Sequence, residues 1–194
     1  YKEQGWKYQQ YIACLDPLGE DRGKTPYALN PEQYGMFLTE LFNLWYEDWK
    51  KGEQPYIRQF ENYIGILLGY QPESCEQRGS CGTQNVVEAD GSVYPCDFYA
   101  LDEYKLGNFN CNRLEEIDKK RKEIAFVEQS QIVAENCKNC KFYKICKGGC
   151  RRNKDFNAMN GEYENYFCKS YRIFFDICLE RMIQIVEIIK NQKG

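Results

Sequence analysis

Cysteine is the residue type in this sequence with the greatest capacity for chemistry. The chain has 11 cysteines and no histidine, and eight of the cysteines fall into two groups. The first group comprises Cys75, Cys81 and Cys96. The second group comprises Cys137, Cys140, Cys146 and Cys150, in the pattern C-x2-C-x5-C-x3-C, and, further along the chain, Cys168. Without imidazole, a soft-metal site must use thiolates, alone or with carboxylates. Eight thiolates predict two four-ligand sites.

Two kinds of metal centre fit four cysteine ligands, structural zinc and an iron–sulfur cluster. Ligand number alone slightly favours zinc, because all-cysteine zinc sites are common. The spacing favours a larger cluster, since the first three cysteines follow the pattern C-x5-C-x14-C and do not form short knuckles. Disulfides are the third alternative, and an odd number of cysteines without a secretory signal fits them badly. The pair Gly148-Gly149 would let the backbone bend sharply before Cys150.

Size and composition restrict the function classes. A chain of 194 residues fits one or two domains. It is 43% hydrophobic and carries a net charge of −3 with dispersed Lys and Arg, which argues against nucleic acid as a partner. No apolar run approaches the roughly 18 residues that span a bilayer, so no membrane association is expected. No signal peptide or initiator Met opens the chain, which predicts a cytoplasmic location and a missing N-terminal half.

The segment 1–70 predicts a strand and two helices. The segment 8–15 (YQQYIACL) has the composition of a strand, in which Cys14 would be a small buried residue. Asn30, Pro31 and Gln33 predict a capped helix start, and the helix is expected to end near Lys51, before Gly52. A second helix is predicted over residues 58–68. A strand followed by helices is typical of the end of a βα unit.

The remainder predicts a hairpin, cysteine-rich loops and a last helix. Residues 83–88 and 92–94 flank a turn that contains Gly, as in a hairpin. Asn112 could cap a helix with Glu115 at the third position. Residues 137–150 predict a loop organised by ligands, and residues 170–190 predict a helix with a wide apolar stripe. The predicted fold class is therefore α+β.

Several motifs resemble a known family. They are Cys14-Leu15-Asp16-Pro17, Leu44-Trp45-Tyr46-Glu47-Asp48, Asp90-Gly91-Ser92-Val93-Tyr94-Pro95-Cys96-Asp97-Phe98-Tyr99, Leu106-Gly107-Asn108 and Cys146-Lys147-Gly148-Gly149-Cys150-Arg151-Arg152. The arrangement resembles the SPASM domain of radical S-adenosylmethionine (SAM) enzymes and, more narrowly, the anaerobic sulfatase-maturating enzymes. The resemblance implies the end of a partial (β/α) barrel over residues 1–70, a SPASM domain over 71–168 and a C-terminal helix over 169–194 that packs back on the chain.

The resemblance also implies the ligand sets of two auxiliary 4Fe–4S clusters. The first set would be Cys75, Cys81, Cys96 and Cys150. The second would be Cys137, Cys140, Cys146 and Cys168, so that Cys150 crosses back and locks the two sites together. The family's radical-generating motif, Cys-x3-Cys-x2-Cys, is absent from this sequence. SAM and a third 4Fe–4S cluster would therefore belong to the missing N-terminal part, and this chain alone is not expected to cleave SAM.

The implied activity is oxidation of a Cys or Ser of a sulfatase to Cα-formylglycine. The partners would be a sulfatase segment of the type Cys/Ser-x-Pro-x-Arg and an external electron acceptor. By resemblance, Asp97 would be the general base and Leu15 would line the SAM pocket; on sequence alone, Asp97 could instead cap a turn. Lys147, Arg151 and Arg152 could offset cluster charge or form a solvated basic face. There are two alternatives to this function. The chain could be the SPASM part of a radical SAM enzyme that modifies another peptide, or it could be a zinc-stabilised binding module.

Overall fold

The computed structural model describes residues 1–192, so the last two residues of the predicted segment 169–194 lie outside the described residues. Eight α-helices are assigned within this range. They are α1 (Pro31–Lys51), α2 (Arg58–Leu67), α3 (Cys75–Arg78), α4 (Leu114–Glu123), α5 (Phe126–Ser130), α6 (Glu135–Lys138), α7 (Tyr143–Cys146) and α8 (Cys168–Gln192). No helix among residues 1–192 combines the length and the apolar character needed to cross a membrane.

Seven short strands form three small sheets within the described residues. They are β1 (Tyr8–Gln9), β2 (Tyr56–Ile57), β3 (Val86–Val87), β4 (Ser92–Tyr94), β5 (Gly107–Asn108), β6 (Lys154–Asn157) and β7 (Glu162–Asn165). Strands β1 and β2 are parallel, with Tyr8 opposite Tyr56. Strands β3, β4 and β5 form an antiparallel sheet, and β6 and β7 form an antiparallel pair. This mixture of helices and sheets confirms the α+β class.

The main hydrophobic core lies where α1, α2 and α8 pack together. Phe42, Phe60 and Phe174, one from each helix, are fully buried, and their ring centroids lie 5.2–5.9 Å apart. Helix α1 begins as predicted, because the Asn30 side chain accepts from the Gln33 backbone N–H at 2.8 Å and Gln33 reaches back to the Asn30 N–H. Its end is also confirmed, with Gly52 in the left-handed conformation.

Most of the predicted elements are present with altered bounds. Helix α2 ends one residue before the predicted boundary, and α8 begins two residues earlier and ends two residues later than predicted. The predicted hairpin is confirmed as β3 and β4, and β5 adds a third strand that the sequence did not predict. The hairpin of β6 and β7 was also missed, because its polar strands lack a regular apolar alternation.

Three local predictions were wrong. Only two residues of the predicted strand 8–15 pair with another strand, because the partner β2 has only two residues. Cys14 is therefore outside a strand, and its side chain is exposed. Helix α4 begins after Arg113, and Glu116 closes its first turn, while the Asn112 side chain accepts from the Asn108 N–H at 2.9 Å. The segment 137–150 also contains helical turns and is not a plain loop.

Candidate iron–sulfur sites

A cavity brings together three thiols of the first predicted ligand set. Cys75 begins α3, Cys81 follows the same turn, and Cys150 comes from a loop that is distant in sequence. All three line the cavity, together with Ser130 and Arg151. The Cys81 backbone N–H donates to Ser130 Oγ at 2.8 Å, which fixes this loop against α5.

Cys96, the fourth member of the first predicted set, directly follows β4 and Pro95. Burial raises the pKa of the Cys96 thiol to about 12, and Asp97 and Cys81 also act to raise it. Burial likewise raises the pKa of Cys150, and Cys75 and Cys81 contribute in the same direction. Each of these thiols therefore lies within the electrostatic influence of another member of the set. A bound metal would have to displace protons from these thiols, so metal affinity would rise with pH.

The second predicted set lies on two short helices, the segment between them and the start of the last helix. Cys137 is in α6, Cys146 ends α7, Cys140 lies between them, and Cys168 is the first residue of α8. Burial raises the pKa of the Cys146 thiol to about 12, with further contributions from Cys168 and Cys137. Burial also raises the pKa of Cys137, to which Cys168 and Cys140 add. The four thiols are therefore neighbours in space, although Cys168 is well separated from the other three in sequence.

The two cysteine loops contact each other through backbone. Gly79 ends α3 with φ of +70°, and a Cβ atom added there would lie 2.6 Å from both Cβ and the carbonyl oxygen of Lys147. The predicted bend before Cys150 is present, since Gly148 and Gly149 have φ of +82° and +70°. The Asn165 side chain donates to the Gly148 carbonyl at 2.9 Å and accepts from the Phe167 N–H at 2.8 Å. One loop is thus fixed both to the other and to the start of α8.

The eight predicted ligand thiols do not converge on single metal-binding points in the structure. Among residues 1–192, no three Cys, Asp or Glu side chains converge closely enough to hold one metal ion. The cysteines are all unpaired in the structure, and none forms a disulfide within the described range.

Asp97 lies beside the first set. The Cys96 Sγ donates to Asp97 Oδ1 at 3.1 Å, and the Asp97 side chain is exposed. Asp97 begins a short 3-10 turn, and Cys96, which precedes that turn, makes no side-chain capping hydrogen bond. The carboxylate is therefore accessible and immediately adjacent to a predicted ligand, which is the position that a base near an electron acceptor requires.

Leu15 is not in a strand and packs partly buried against the main core. The next residue, Asp16, is fully buried and accepts from the Gly23 N–H and the Thr25 N–H, each at 2.7 Å. Burial acts to raise the pKa of Asp16, but the hydrogen bonds from Thr25 and Gly23 outweigh it and lower the pKa to about 2. Arg152 donates to the Asp16 carbonyl, so this segment is tied to the cysteine region.

The predicted basic residues have different surroundings. The Lys147 ammonium lies over the Tyr143 ring, at 5.5 Å from its centroid. The Arg151 guanidinium lies over the Phe126 ring at 4.5 Å and donates to the Phe126 carbonyl at 2.7 Å. Lys154, which sequence reasoning missed, extends its ammonium toward α5 and lies in the electrostatic range of three predicted ligands. Its only sequence signal was its position shortly after Cys150.

Three cysteines belong to neither predicted set, namely Cys14, Cys111 and Cys178. Cys111 lies in an exposed turn before α4. Cys178 is fully buried on the apolar face of α8 and belongs to the main core. Burial raises the pKa of the Cys178 thiol.

Comparison with known proteins identifies the class of the cysteine region. Residues 75–141 match the SPASM family, described as an iron-sulfur cluster-binding domain. The match begins at the first predicted ligand and includes Cys96 and Cys140.

The chain is also similar to sulfatase-maturating enzymes over nearly its whole length. A cysteine-type anaerobic sulfatase-maturating enzyme of Clostridium perfringens (strain 13 / Type A) is 44% identical over 190 residues, which are 98% of this chain and 51% of that protein. A serine-type enzyme of Bacteroides thetaiotaomicron is 32% identical, over 91% of this chain and 42% of that protein. The chain spans about half the length of the cysteine-type relatives that it matches.

Solved structures agree with these relatives. The structure described as native anSMEcpe with bound AdoMet and Kp18Cys peptide has a TM-score of 0.88 and 43% identity, and the match covers 96% of this chain and 51% of that one. A second, with bound AdoMet and Cp18Cys peptide, has a TM-score of 0.89. The chain is therefore a homologue of the anaerobic sulfatase-maturating enzymes, and the resemblance found in its motifs is confirmed.

Proposed function

We propose that this chain is the C-terminal auxiliary-cluster region of a radical SAM enzyme that oxidises a sulfatase residue to Cα-formylglycine. The observation that carries the proposal is the 3.1 Å contact between Cys96 Sγ and Asp97 Oδ1. It puts an accessible carboxylate beside Cys96, which would be a ligand of the electron acceptor. Oxidation of a side-chain radical needs both, because one proton and one electron must leave the same substrate.

The ligand sets are part of this proposal. Cys75, Cys81, Cys96 and Cys150 would hold the first 4Fe–4S cluster. The cavity lined by three of these thiols supports this assignment. Cys137, Cys140, Cys146 and Cys168 would hold the second, and the support is their placement on α6, α7, the turn between them and the start of α8.

In the proposed reaction, the residues of this chain would hold the two clusters and accept the proton that the substrate loses. Asp97 accepts the proton that the substrate loses, and its backbone is held by the neighbouring ligand Cys96. When bound, the clusters supply the acceptor for the substrate electron, which then leaves for an external acceptor. SAM and a third 4Fe–4S cluster would be held by an N-terminal part, with Leu15 contributing to the SAM pocket. Residues 1–70, 71–168 and 169–194 would form the barrel end, the SPASM domain and a terminal helix.

The relatives favour a cysteine as the residue that is oxidised. The similar proteins of 41–44% identity are cysteine-type enzymes, whereas the serine-type enzymes are 32% identical or less. The anSMEcpe structures carry peptides named for a cysteine. The substrate would be a sulfatase segment of the type Cys-x-Pro-x-Arg, encountered in the cytoplasm.

The proposal is tested by the substitution Asp97→Asn in the full-length enzyme. Loss of a general base lowers rates by roughly 10²–10⁴-fold, so we expect formylglycine formation in a Cys-x-Pro-x-Arg peptide to fall by that factor. Iron and sulfide content should stay at the wild-type value, because asparagine preserves the shape of the side chain. Product is measured by mass spectrometry of the peptide.

Asp102→Asn is the matched control, since Asp102 is an acidic residue of the next 3-10 turn and does not adjoin a predicted ligand in the sequence. Its turnover should equal that of the wild type. If Asp97→Asn turns over at the wild-type rate, Asp97 is not the base. If the wild-type enzyme forms no formylglycine but modifies another peptide, the substrate assignment fails.

A further inference from the structure

Lys154 is a half-buried cation whose position is fixed by hydrogen bonds to two backbone carbonyls. It is the first residue of β6, and its Nζ donates to the Ser130 carbonyl at 2.7 Å and to the Ile132 carbonyl at 2.9 Å. Within residues 1–192, no carboxylate forms an ion pair with this ammonium. Its charge is therefore fixed by neutral carbonyls and is not cancelled by an adjacent anion.

The first carbonyl connects the ammonium with the first cysteine set. Ser130 lines the same cavity as Cys75, Cys81 and Cys150. The Ser130 Oγ also accepts from the Cys81 backbone N–H at 2.8 Å. The residue that positions the Lys154 charge is thus in direct contact with the ligand loop of the first set.

The second carbonyl belongs to the segment that leads into the second set. Ile132, which accepts from the Lys154 ammonium at 2.9 Å, lies shortly before α6, and α6 carries Cys137. One ammonium is therefore hydrogen-bonded both to a residue that lines the cavity of the first set and to the segment that precedes the second.

We propose that Lys154 is a shared electrostatic residue that raises the reduction potentials of both auxiliary clusters. The inference rests on the proposed function. A reduced cluster carries one more negative charge than the oxidised one, so a fixed cation nearby stabilises the reduced state, and more strongly in a partly buried site than in water. Both clusters would then accept the substrate electron more readily, although Lys154 itself contacts neither the substrate nor a reacting atom.

The test is a redox titration, followed by electron paramagnetic resonance, of the full-length enzyme with its SAM-cluster cysteines replaced by alanine. Lys154→Met removes the charge at similar length, and Lys154→Gln removes it while keeping a hydrogen-bond donor. In both variants we expect the midpoint potentials of both auxiliary clusters to fall. The expected shift is about tenfold in each one-electron equilibrium, or about 59 mV. Lys154→Arg keeps the charge and should titrate close to the wild type.

Lys144→Met is the matched control, because Lys144 is an exposed lysine of α7 in the same ligand loop. It should leave both potentials unchanged. Unaltered potentials in the neutral Lys154 variants, a shift in only one cluster, or an equal shift in Lys144→Met would overturn the inference. So would loss of iron from both neutral variants, which would make Lys154 structural. If the wild-type protein bound no iron, both the proposed function and this inference would fail. If the wild-type protein had both clusters and turned over, but the neutral Lys154 variants kept the wild-type potentials, only this inference would fail.

Discussion

The helical core and the cysteine loops are stabilised in different ways. The core joins α1, α2 and α8, and its three central phenylalanine rings are fully buried against each other. The cysteine loops contain α3, α6 and α7, which are single helical turns. Helices this short are not stable by themselves in water. The difference shows that one region folds by apolar burial, while the other depends on a few specific contacts.

Each of those contacts in the cysteine loops involves a backbone atom. Gly79 approaches Lys147, Asn165 holds the Gly148 carbonyl, and the Cys81 N–H donates to Ser130. A bound metal centre would add metal–ligand bonds to each set of loops. The free energy of metal binding would then stabilise the ordered conformation of the loops. We therefore expect substitutions in the core to change the free energy of unfolding most, and substitutions in the loops to change metal content most.

The largest effect on stability should come from Phe174→Ala in α8. Phe174 is fully buried, and its ring centroid lies 5.8 Å from that of Phe60. Truncating a buried phenylalanine costs about 3–5 kcal/mol, so the free energy of unfolding measured in urea should fall by this amount. Phe156→Ala is the control, because Phe156 is 58% exposed on β6 and its truncation should cost no more than about 0.5 kcal/mol. Equal losses in the two variants would contradict the assignment of the core.

A smaller loss of stability, with a specific loss of metal, is expected for Gly79→Ala. At φ of +70° a side chain costs about 1–2 kcal/mol. The added Cβ would also meet Lys147 at 2.6 Å, which would force the two cysteine loops apart. Iron bound after oxygen-free reconstitution should therefore fall well below the wild-type value.

Gly52→Ala separates these two causes. Gly52 has the same φ of +70° at the end of α1, but an added Cβ would meet nothing within 4 Å. This variant should lose similar stability to the left-handed strain and should retain wild-type iron. If Gly52→Ala and Gly79→Ala bind the same amount of iron, the contact between the loops does not control metal binding.

The sequence predicted the parts of the fold that depend on local signals. Asn30 and Gln33 defined the start of α1, and the apolar stripe defined α8, because capping and helical periodicity act over short stretches of chain. The strand over residues 8–15 was wrong, since strand length depends on a partner that is distant in sequence. The polar hairpin of β6 and β7 had no local signal at all.

The same distinction holds for the candidate site. The spacing of the cysteines indicated two four-ligand sites, and the resemblance divided them into two sets. Three members of the first set, Cys75, Cys81 and Cys150, line one cavity in the structure. Lys154 could not be found in this way, because its role follows from the carbonyls of Ser130 and Ile132, which belong to a different part of the sequence. The exposure of Cys14 was also missed, since its predicted burial depended on the strand over residues 8–15, which ends at Gln9.

The most direct test of the account is the iron and sulfide content of this chain after reconstitution without oxygen. Two 4Fe–4S clusters predict about eight iron and eight sulfide per chain, with visible absorption. Cys150→Ser should lower this toward about four iron, and so should Cys168→Ser, each by removing one ligand of one cluster. Two zinc ions per chain without visible absorption, or unchanged iron in both variants, would contradict the central claim that the eight thiols hold two redox clusters.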